Sequence, residues 1–304
     1  MKKSLVAIAV LAAAGASFAQ SNVTISGNVQ MQYYRASDAV GNKGFGIPFA
    51  NVLFAGTEDL GGGLKASFKS EIGLAAQRGS ATVQETVRKR DTALSLAGGF
   101  GSLTIQNTRS SSFLVTYGAV GTNSNANNGP YDISANVVSR SAVDNVTYSV
   151  PVGPVTVSVL YTEASADGNT TPTLKTSTLM ATYVAGPLNV GLRGDSTNGV
   201  TAGTTKTSYE VGATYDFGVA KVGIAADTKR RGLASTDKGG VSVGVKAPVG
   251  PVTLGLGYMD RGTASINFLT ANYAFSKRTS LELNYTSLKG APRAEYNIVL
   301  GHSF

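Results

Sequence analysis

Apolar residues recur at every second position through most of this chain. In the stretch VTISGNVQMQYY at 23–34, Val, Ile, Met and Tyr alternate with Thr, Ser, Asn and Gln. The same alternation returns at 155–162 and 209–217. A period of two indicates a β-strand with one apolar face and one polar face. The sequence therefore predicts an all-β protein built from amphipathic strands.

Two kinds of connection alternate between these strands. Short segments rich in Gly, Pro and Asp, which favour tight turns, lie at 59–62, 98–101, 151–154, 185–187, 216–219, 248–251 and 275–278. Longer polar loops lie at 35–48, 75–84, 109–137, 164–174, 197–205, 229–238, 260–263 and 289–292. Seven turns and eight loops separate 16 strands. An even number lets the first and last strands pair, which removes both sheet edges. We predict one closed antiparallel barrel.

The two faces of these strands suit a membrane barrel. A lumen of 16 strands is too wide for side chains to fill, so its lining must tolerate water. The polar face meets that requirement, and the apolar face suits lipid. Aromatic residues near strand ends are typical of the girdles at the membrane boundary: Tyr161, Tyr183, Tyr215, Phe217, Tyr258, Tyr273, Phe275, Tyr285, Tyr296 and Phe304. A secreted, soluble, adhesin-type β-protein is the alternative.

The first nineteen residues have the pattern of a secretory signal peptide. Lys2 and Lys3 precede the apolar run 5–14, and Ser17-Phe18-Ala19 follows it. We predict cleavage after Ala19, which leaves residues 20–304 as a single barrel domain. The alternative is an N-terminal membrane anchor, but ten apolar residues are about half of what a membrane-spanning helix needs.

Composition excludes several classes of function. The chain has no cysteine, so it has neither disulfides nor a thiolate nucleophile. Its formal net charge of +8 is spread along the chain, whereas nucleic-acid binding calls for a basic stripe on one face. The only histidine, His302, falls on the apolar row near the C-terminus, far from any Ser/His/acid arrangement. We expect no enzymatic activity, cofactor, metal site or nucleic-acid partner.

Several stretches resemble the general porins of Gram-negative outer membranes, in particular the trimeric neisserial and Burkholderia-type group. The resemblance is carried by FAGTEDLGGGLKASFKSEIGL, DNVTYSVPVG, ANYAFSKRTSLELNYT and the terminal VLGHSF. It implies a 16-stranded homotrimer with a water-filled pore in each subunit, narrowed by the third long loop, 109–137, which folds into the lumen. The implied partners are outer-membrane lipids and lipopolysaccharide, the barrel-assembly machinery, and small hydrophilic solutes and ions.

The resemblance implies passive, general diffusion. A substrate-specific channel is the alternative, and it should show a track of aromatic residues along the lumen. The faces that the alternation assigns to the lumen contain few aromatic residues, which favours general diffusion.

The resemblance also indicates which residues line the pore. Arg90 and Arg140 stand where the family has basic lining residues, while Asn51 and Asn107 stand where arginine is more usual. Assigning the polar face inward adds Arg88 and Lys69, and the third loop contributes the acid Asp132. The same assignment turns further charges inward: Lys65, Arg193, Lys221 and Lys246 against Glu71, Glu210, Asp216, Asp227 and Glu282. We expect a modest preference for anions.

The C-terminus continues an apolar row to the last residue. Tyr296, Ile298, Leu300, His302 and Phe304 share one parity. The resemblance implies that this row, ending in Phe304, is the signal read during insertion into the outer membrane, and we expect Phe304 to lie at the periplasmic girdle.

Overall fold

The computed structural model describes residues 22–37, 43–74, 87–109, 112–122, 142–164, 174–198, 206–228, 238–262, 264–289 and 293–304. The predicted signal peptide lies outside these ranges. Within them, no helix is both long enough and apolar enough to cross a membrane.

Sixteen antiparallel strands form one closed barrel, in which each strand pairs with its neighbours in sequence and β1 pairs with β16. The strands are β1 (Asn22–Ala36), β2 (Lys43–Gly61), β3 (Leu64–Leu74), β4 (Val87–Gly98), β5 (Gly101–Arg109), β6 (Ala142–Val152), β7 (Val155–Ala164), β8 (Leu174–Ala185), β9 (Leu188–Asn198), β10 (Thr207–Asp216), β11 (Lys221–Asp227), β12 (Val241–Val249), β13 (Val252–Asp260), β14 (Ser265–Ala274), β15 (Thr279–Lys289) and β16 (Arg293–Ser303). The predicted fold class and strand number are confirmed.

The seven predicted turns all separate consecutive strands, but the first predicted loop, 35–48, is too long. Strand β2 already begins at Lys43 and pairs with β1 there. Phe45 and Ile47 continue the outward apolar row of β2, and the Phe45 ring centroid lies 5.1 Å from that of Tyr33. The intervening glycines look like loop residues, yet they occupy the other face of the strand.

The outward face of the barrel is apolar, as predicted. Its exposed side chains include Ile25, Leu94, Ile105, Leu192, Ile224 and Leu256. Outward aromatics pair at both ends of the strands, for example Tyr215 with Phe217 and Tyr285 with Tyr296, whose ring centroids are 4.5 and 5.0 Å apart. These pairs match the girdles of a membrane barrel.

The inward face is polar over most of the wall but not everywhere. Met259, Ile266, Phe268 and Leu288 point inward and are buried. They pack with Phe113, Leu114 and Tyr117 from the connection between β5 and β6. The expectation of a uniformly polar inner face is therefore wrong at this place, because a piece of the third loop covers the wall there and excludes water.

That piece, residues 112–122, contains a short helical turn at Leu114–Gly118 and lies inside the barrel against β10 to β13. For these residues the predicted inward folding of the loop is confirmed. A row of inward glycines lets the segment approach the wall closely: Gly191, Gly212, Gly223, Gly244 and Gly255. A Cβ at Gly212 would lie 2.5 Å from the Tyr117 ring, and a Cβ at Gly223 would overlap the Tyr117 carbonyl oxygen. The absent side chains are what make room for the segment.

The barrel closes at the last residue of the chain. The backbone N–H of Phe304 donates to the carbonyl of Gly27 at 3.0 Å, and the N–H of Gly27 donates to the carbonyl of Phe304 at 3.1 Å. The Phe304 ring lies over Gly27, where a larger residue would collide with it. Phe304 thus occupies the outward face at the end of the seam.

The other residues of the terminal row also face outward. Tyr296, Ile298, Leu300 and Phe304 are about half exposed, at 52%, 47%, 45% and 47%. The His302 Nδ1 lies 2.9 Å from the Thr279 hydroxyl on β15. A row of this kind meets lipid along its length.

Replacing Gly223 should narrow the passage through the lumen. In Gly223→Val the new side chain would collide with the Tyr117 backbone and with Val120, so the inward segment must shift away from β11. This shift moves the segment toward the opposite wall, so we expect a smaller single-channel conductance with an intact barrel. Gly194→Val is the matched control, because that Cβ faces outward, 3.4 Å from the Tyr209 ring. Unchanged conductance in Gly223→Val would show that the segment does not limit the lumen.

Deleting Phe304 should impair assembly. The deletion removes two closing backbone hydrogen bonds, each contributing about 1 kcal/mol, together with an aromatic side chain at the membrane boundary. We expect much less protein in the outer membrane, measured by fractionation, with export to the periplasm preserved. The variant Phe304→Tyr keeps the two backbone hydrogen bonds and an aromatic ring at this position, so it should assemble well. Normal membrane levels of the deletion would contradict the assembly role.

Candidate pore constriction and lumen charges

The inward segment narrows the lumen from one side. It rests on β10 to β13, and in a ring of sixteen strands β3 lies diametrically opposite β11. A solute crossing the barrel must therefore pass between residues 112–122 and the wall formed by β2 to β4. Residues 112–122 contain no charged side chain, so along this part of the passage the charges come from the barrel wall.

Three wall side chains fix the backbone of the segment. The Glu210 carboxylate accepts from the N–H of Phe113 at 2.5 Å, at the start of the helical turn. The Ser242 hydroxyl donates to the carbonyl of Leu114, and the Thr270 hydroxyl donates to the carbonyl of Gly121, both at 2.7 Å. The segment is thus anchored at both ends, as a fixed constriction requires.

Tyr117 provides the packing between these anchors. Its ring is 5% exposed and lies edge-on to Phe113, with 4.7 Å between ring centroids. Burial raises the pKa of the Tyr117 phenol above its ordinary value, although a hydrogen bond with Thr182 opposes the shift. The phenol therefore stays neutral at physiological pH and adds no charge to the constriction.

On the opposite wall, Arg90 belongs to a hydrogen-bonded cluster. Its Nη1 donates to Glu71 Oε1 at 3.1 Å, and Asn51 Nδ2 donates to the same oxygen at 2.8 Å. The Arg90 guanidinium also lies 4.6 Å from the centre of the Phe49 ring. Asn51 is itself held by β1, since its Oδ1 accepts from the N–H of Asn28 at 2.9 Å. Arg90 and Asn51 both face the lumen, but Glu71 balances the charge of Arg90.

A β-bulge turns the basic end of β4 inward. The pairing of β3 with β4 shifts between Ser70 and Ile72, so β4 carries one extra residue there. After the extra residue, Arg88 is the register partner of Gly73, which faces inward. Without the extra residue, Arg88 and Arg90 would lie on the same outward face as Leu94. The bulge therefore decides which face receives these charges. The side chain of Arg88 lies outside the described residues.

The other predicted lining residues fall in different places. Lys69 faces inward and is exposed, between Ala55 and Ala93 on the adjacent strands. Asn107 faces outward, where its Nδ2 donates to Asp144 Oδ1 at 2.7 Å. Asn107 shares the parity of the outward Ile105, so its placement in the pore lining is corrected. Arg140 and Asp132 lie outside the described residues.

Two further arginines of the inner wall are also paired. Arg193 Nε lies 3.0 Å from Asp195 Oδ1, and Arg261 pairs with Asp227. These four side chains are almost fully buried, between 2% and 11% exposed. Sequence reasoning missed Asp195, although alternation places it on the inward row, and it missed Arg261, which sits in the predicted loop 260–263. Their charges are neutralised locally and have little contact with water.

The inward lysines are different. Lys69 and Lys246 are exposed, and Lys221 is half-buried. Across the described part of the chain, none of these three makes an ion pair within 4.0 Å. Among the described inward charges, it is the lysines that a passing solute meets as unbalanced positive groups.

The described residues contain no grouping of three or more His, Cys, Asp or Glu side chains suited to a metal ion. The arrangement is a polar passage lined by hydroxyls, amides and charges, and such a lining sorts solutes by width, hydrogen bonding and electrostatic field.

Comparison with known proteins places this barrel among the porins. The family model described as Gram-negative porin matches residues 4–291. Outer membrane porin protein 32 of Delftia acidovorans is 43% identical over 109 residues, which are 34% of this chain and 30% of that protein. This alignment thus spans less than a third of the relative's length.

Several solved structures share the fold over nearly the whole chain. An anion-selective porin from Comamonas acidovorans has a TM-score of 0.66 at 22% identity, covering 94% of this chain and 100% of that one. A loop-deletion mutant of OmpT, an outer membrane protein of Vibrio cholerae, has a TM-score of 0.68 at 14% identity, covering 93% and 99%. A mutant of the Rh. blastica porin has a TM-score of 0.67 at 13% identity, covering 93% and 100%.

At these identities the structural likeness establishes the barrel fold, and the family model extends over almost the entire sequence. The chain therefore belongs to the Gram-negative porin family and is a protein of the outer membrane.

Proposed function

We propose that this barrel is a general diffusion channel through which small hydrophilic solutes and ions pass passively, with a modest preference for anions. The observation that carries the proposal is the contrast inside the lumen: three described arginines are paired with carboxylates, while Lys69, Lys221 and Lys246 are not. Unbalanced ammonium groups along a water-filled passage attract anions. The anion-selective porin from Comamonas acidovorans, which shares the fold, supports a preference for anions over cations.

The alternative of a substrate-specific channel has less support. Contrary to the expectation from alternation, several aromatic residues do face inward, among them Tyr34, Phe49 and Phe268. These three are only 4%, 7% and 3% exposed, so they serve as packing and not as a surface along which a ligand could slide. An adhesin-type role would leave the hydrated lumen and its anchored inward segment without a use. The family is one of channels, and passage through it requires no catalysis.

Residues 1–19 fit this proposal as an export signal. A charged start, a ten-residue apolar run and small residues before position 20 suit secretion across the inner membrane. Insertion by the barrel-assembly machinery and contact with lipopolysaccharide follow from residence in the outer membrane.

We further propose a homotrimer, supported by a polar row on the outward face. Ser70, Thr92, Asn107 and Asp144 are register neighbours on β3 to β6, starting about seven residues above the short turns. Lipid at that height disfavours hydroxyl, amide and carboxylate groups. An apolar groove of about 790 Å³, lined by Phe68, Leu94, Ile105, Val146 and Tyr161, lies beside the row. A second copy would cover both features.

Planar-bilayer recording tests the channel directly. In a salt gradient we expect the reversal potential to show chloride more permeant than potassium, with a ratio below about 10. This upper limit follows because two charges 4 Å apart in water interact by about 1 kcal/mol, whereas a tenfold difference in an equilibrium constant needs about 1.4 kcal/mol. The ratio should fall toward one as salt rises, since screening shortens to about 3 Å at 1 M.

The same recording tests the assembly, because a trimer of pores should close in three equal steps. Clear cation selectivity would overturn the proposed preference, absence of conductance would overturn the channel, and closure in a single step would contradict three pores.

Glu71 and Arg90 should shift selectivity in opposite directions. Glu71→Gln keeps a hydrogen-bonding side chain beside Asn51 and Arg90 but removes the charge that balances Arg90, so chloride permeability should rise. Arg90→Gln leaves the charge of Glu71 unbalanced and should lower the chloride permeability by a similar few-fold factor. Glu58→Gln is the control: it also removes one carboxylate charge, but Glu58 shares the outward parity of Gly56 on β2, and selectivity should stay unchanged. Equal effects of all three variants would show that the cluster does not border the passage.

A further inference from the structure

Two lysines face each other across neighbouring strands on the inner wall. Lys221 of β11 and Lys246 of β12 are direct register partners. Each shares its parity with a glycine that supports the inward segment, Gly223 and Gly244 respectively, so both project into the lumen. Like charges directly opposite one another destabilise an antiparallel pair. Within the described ranges no carboxylate lies within 4.0 Å of either ammonium group, so the repulsion is uncompensated.

A lumen-side cavity of about 260 Å³ opens beside Lys246 of this pair. Its lining includes Lys246, Thr122 at the end of the inward segment, Thr253 on β13, and Thr270 and Asn272 on β14. The Thr270 hydroxyl is committed to the carbonyl of Gly121, which leaves Thr253 and Lys246 as donors toward the cavity. The cavity is large enough for a small oxyanion and its first waters.

The cavity lies on the short-turn side of the constriction. Lys221 follows the turn at 217–220, and Lys246 precedes the turn at 250–251 by a few residues. Gly121 and Thr122, which contribute to its lining, belong to the anchored segment itself. An anion that has passed the constriction from the loop side would meet this cavity next.

One carboxylate borders the cavity and sets its charge balance. Glu282 accepts a hydrogen bond from Asn272 Nδ2 at 2.9 Å and is only 1% exposed. Lys246 lines the cavity and Lys221 is its register partner on the next strand, so two ammonium groups on this side of the wall outweigh the single buried carboxylate. The site therefore stays net positive, and Glu282 weakens it without reversing it.

From these contacts we propose that Lys221 and Lys246 form an anion-binding subsite on the short-turn side of the constriction, suited to a small doubly charged oxyanion such as phosphate or a dicarboxylate. This inference rests on the proposed channel function and adds a defined binding position to it. The bound anion bridges the two ammonium groups and relieves their repulsion, and the Thr253 hydroxyl donates a further hydrogen bond.

Single-channel recording in potassium chloride with added inorganic phosphate tests the subsite. In the wild-type protein we expect phosphate to reduce the chloride current in a saturable way. The double variant Lys221→Gln/Lys246→Gln should raise the half-blocking phosphate concentration at least about tenfold, because hydrogen bonds to charged groups contribute about 1.5–3 kcal/mol each. Glu282→Gln should lower that concentration, which no loss of folding would produce.

Lys65→Gln is the matched control. Lys65 also faces inward near a short turn, but it is on β3, across the barrel, with Asp59 as its register partner. Its loss should change the half-blocking concentration less than about twofold, since the intervening electrolyte screens charges beyond about 10 Å. An equal effect of the Lys65 and double variants, or no saturable block in a wild-type channel that conducts normally, would overturn the subsite and leave the channel standing. Absence of conductance in chloride alone would overturn the channel itself.

Discussion

The whole structure depends on the requirement that backbone hydrogen bonds be complete in the membrane. No water is available in the hydrocarbon core to satisfy an exposed strand edge, so a sheet can cross the membrane only if it closes on itself. Here closure is made by β1 and β16, whose pairing continues through Phe304 and Gly27 to the last residue. Because Gly27 has no side chain, the Phe304 ring can pack over the seam between β1 and β16.

Closure creates a lumen that side chains cannot fill, and the chain narrows it with its own third loop. Residues 112–122 lie on a row of inward glycines and are tied down through Glu210, Ser242 and Thr270. The consequence is a second, inward-facing core around Leu114, Met259 and Phe268 in a protein whose apolar residues otherwise face lipid. The wall is thus apolar on both sides where the segment covers it and polar inside elsewhere.

Arginine and lysine side chains of the inner wall differ in whether a carboxylate neutralises their charge. Arg193 and Arg261 are buried with carboxylates, where an unpaired charge would be costly, and Arg90 shares Glu71 with Asn51. Lys69 and Lys246 remain in contact with the lumen, where water solvates the ammonium group at little cost. The arginines therefore act mainly as structural links between strands, and the lysines set the field that a solute meets. A preference that arises from hydrated charges is necessarily weak.

The sequence by itself determined the number of strands, the closed barrel and the outward apolar face, because alternation and turn residues are local properties of the chain. It also placed Lys69, Asn51 and Phe304 on the faces they occupy. Alternation with Leu103 and Ile105 already indicates the outward position of Asn107, which the family resemblance had assigned to the pore. The sequence did not contain the balance of Arg90 by Glu71 or the meeting of Lys221 with Lys246, since these depend on register between strands. A single bulge between β3 and β4 reverses the parity of Arg88 and Arg90, and a one-residue shift moves every following side chain to the other face. Only the tertiary structure could decide these positions, because register is fixed by pairing with distant segments and not by the residues alone.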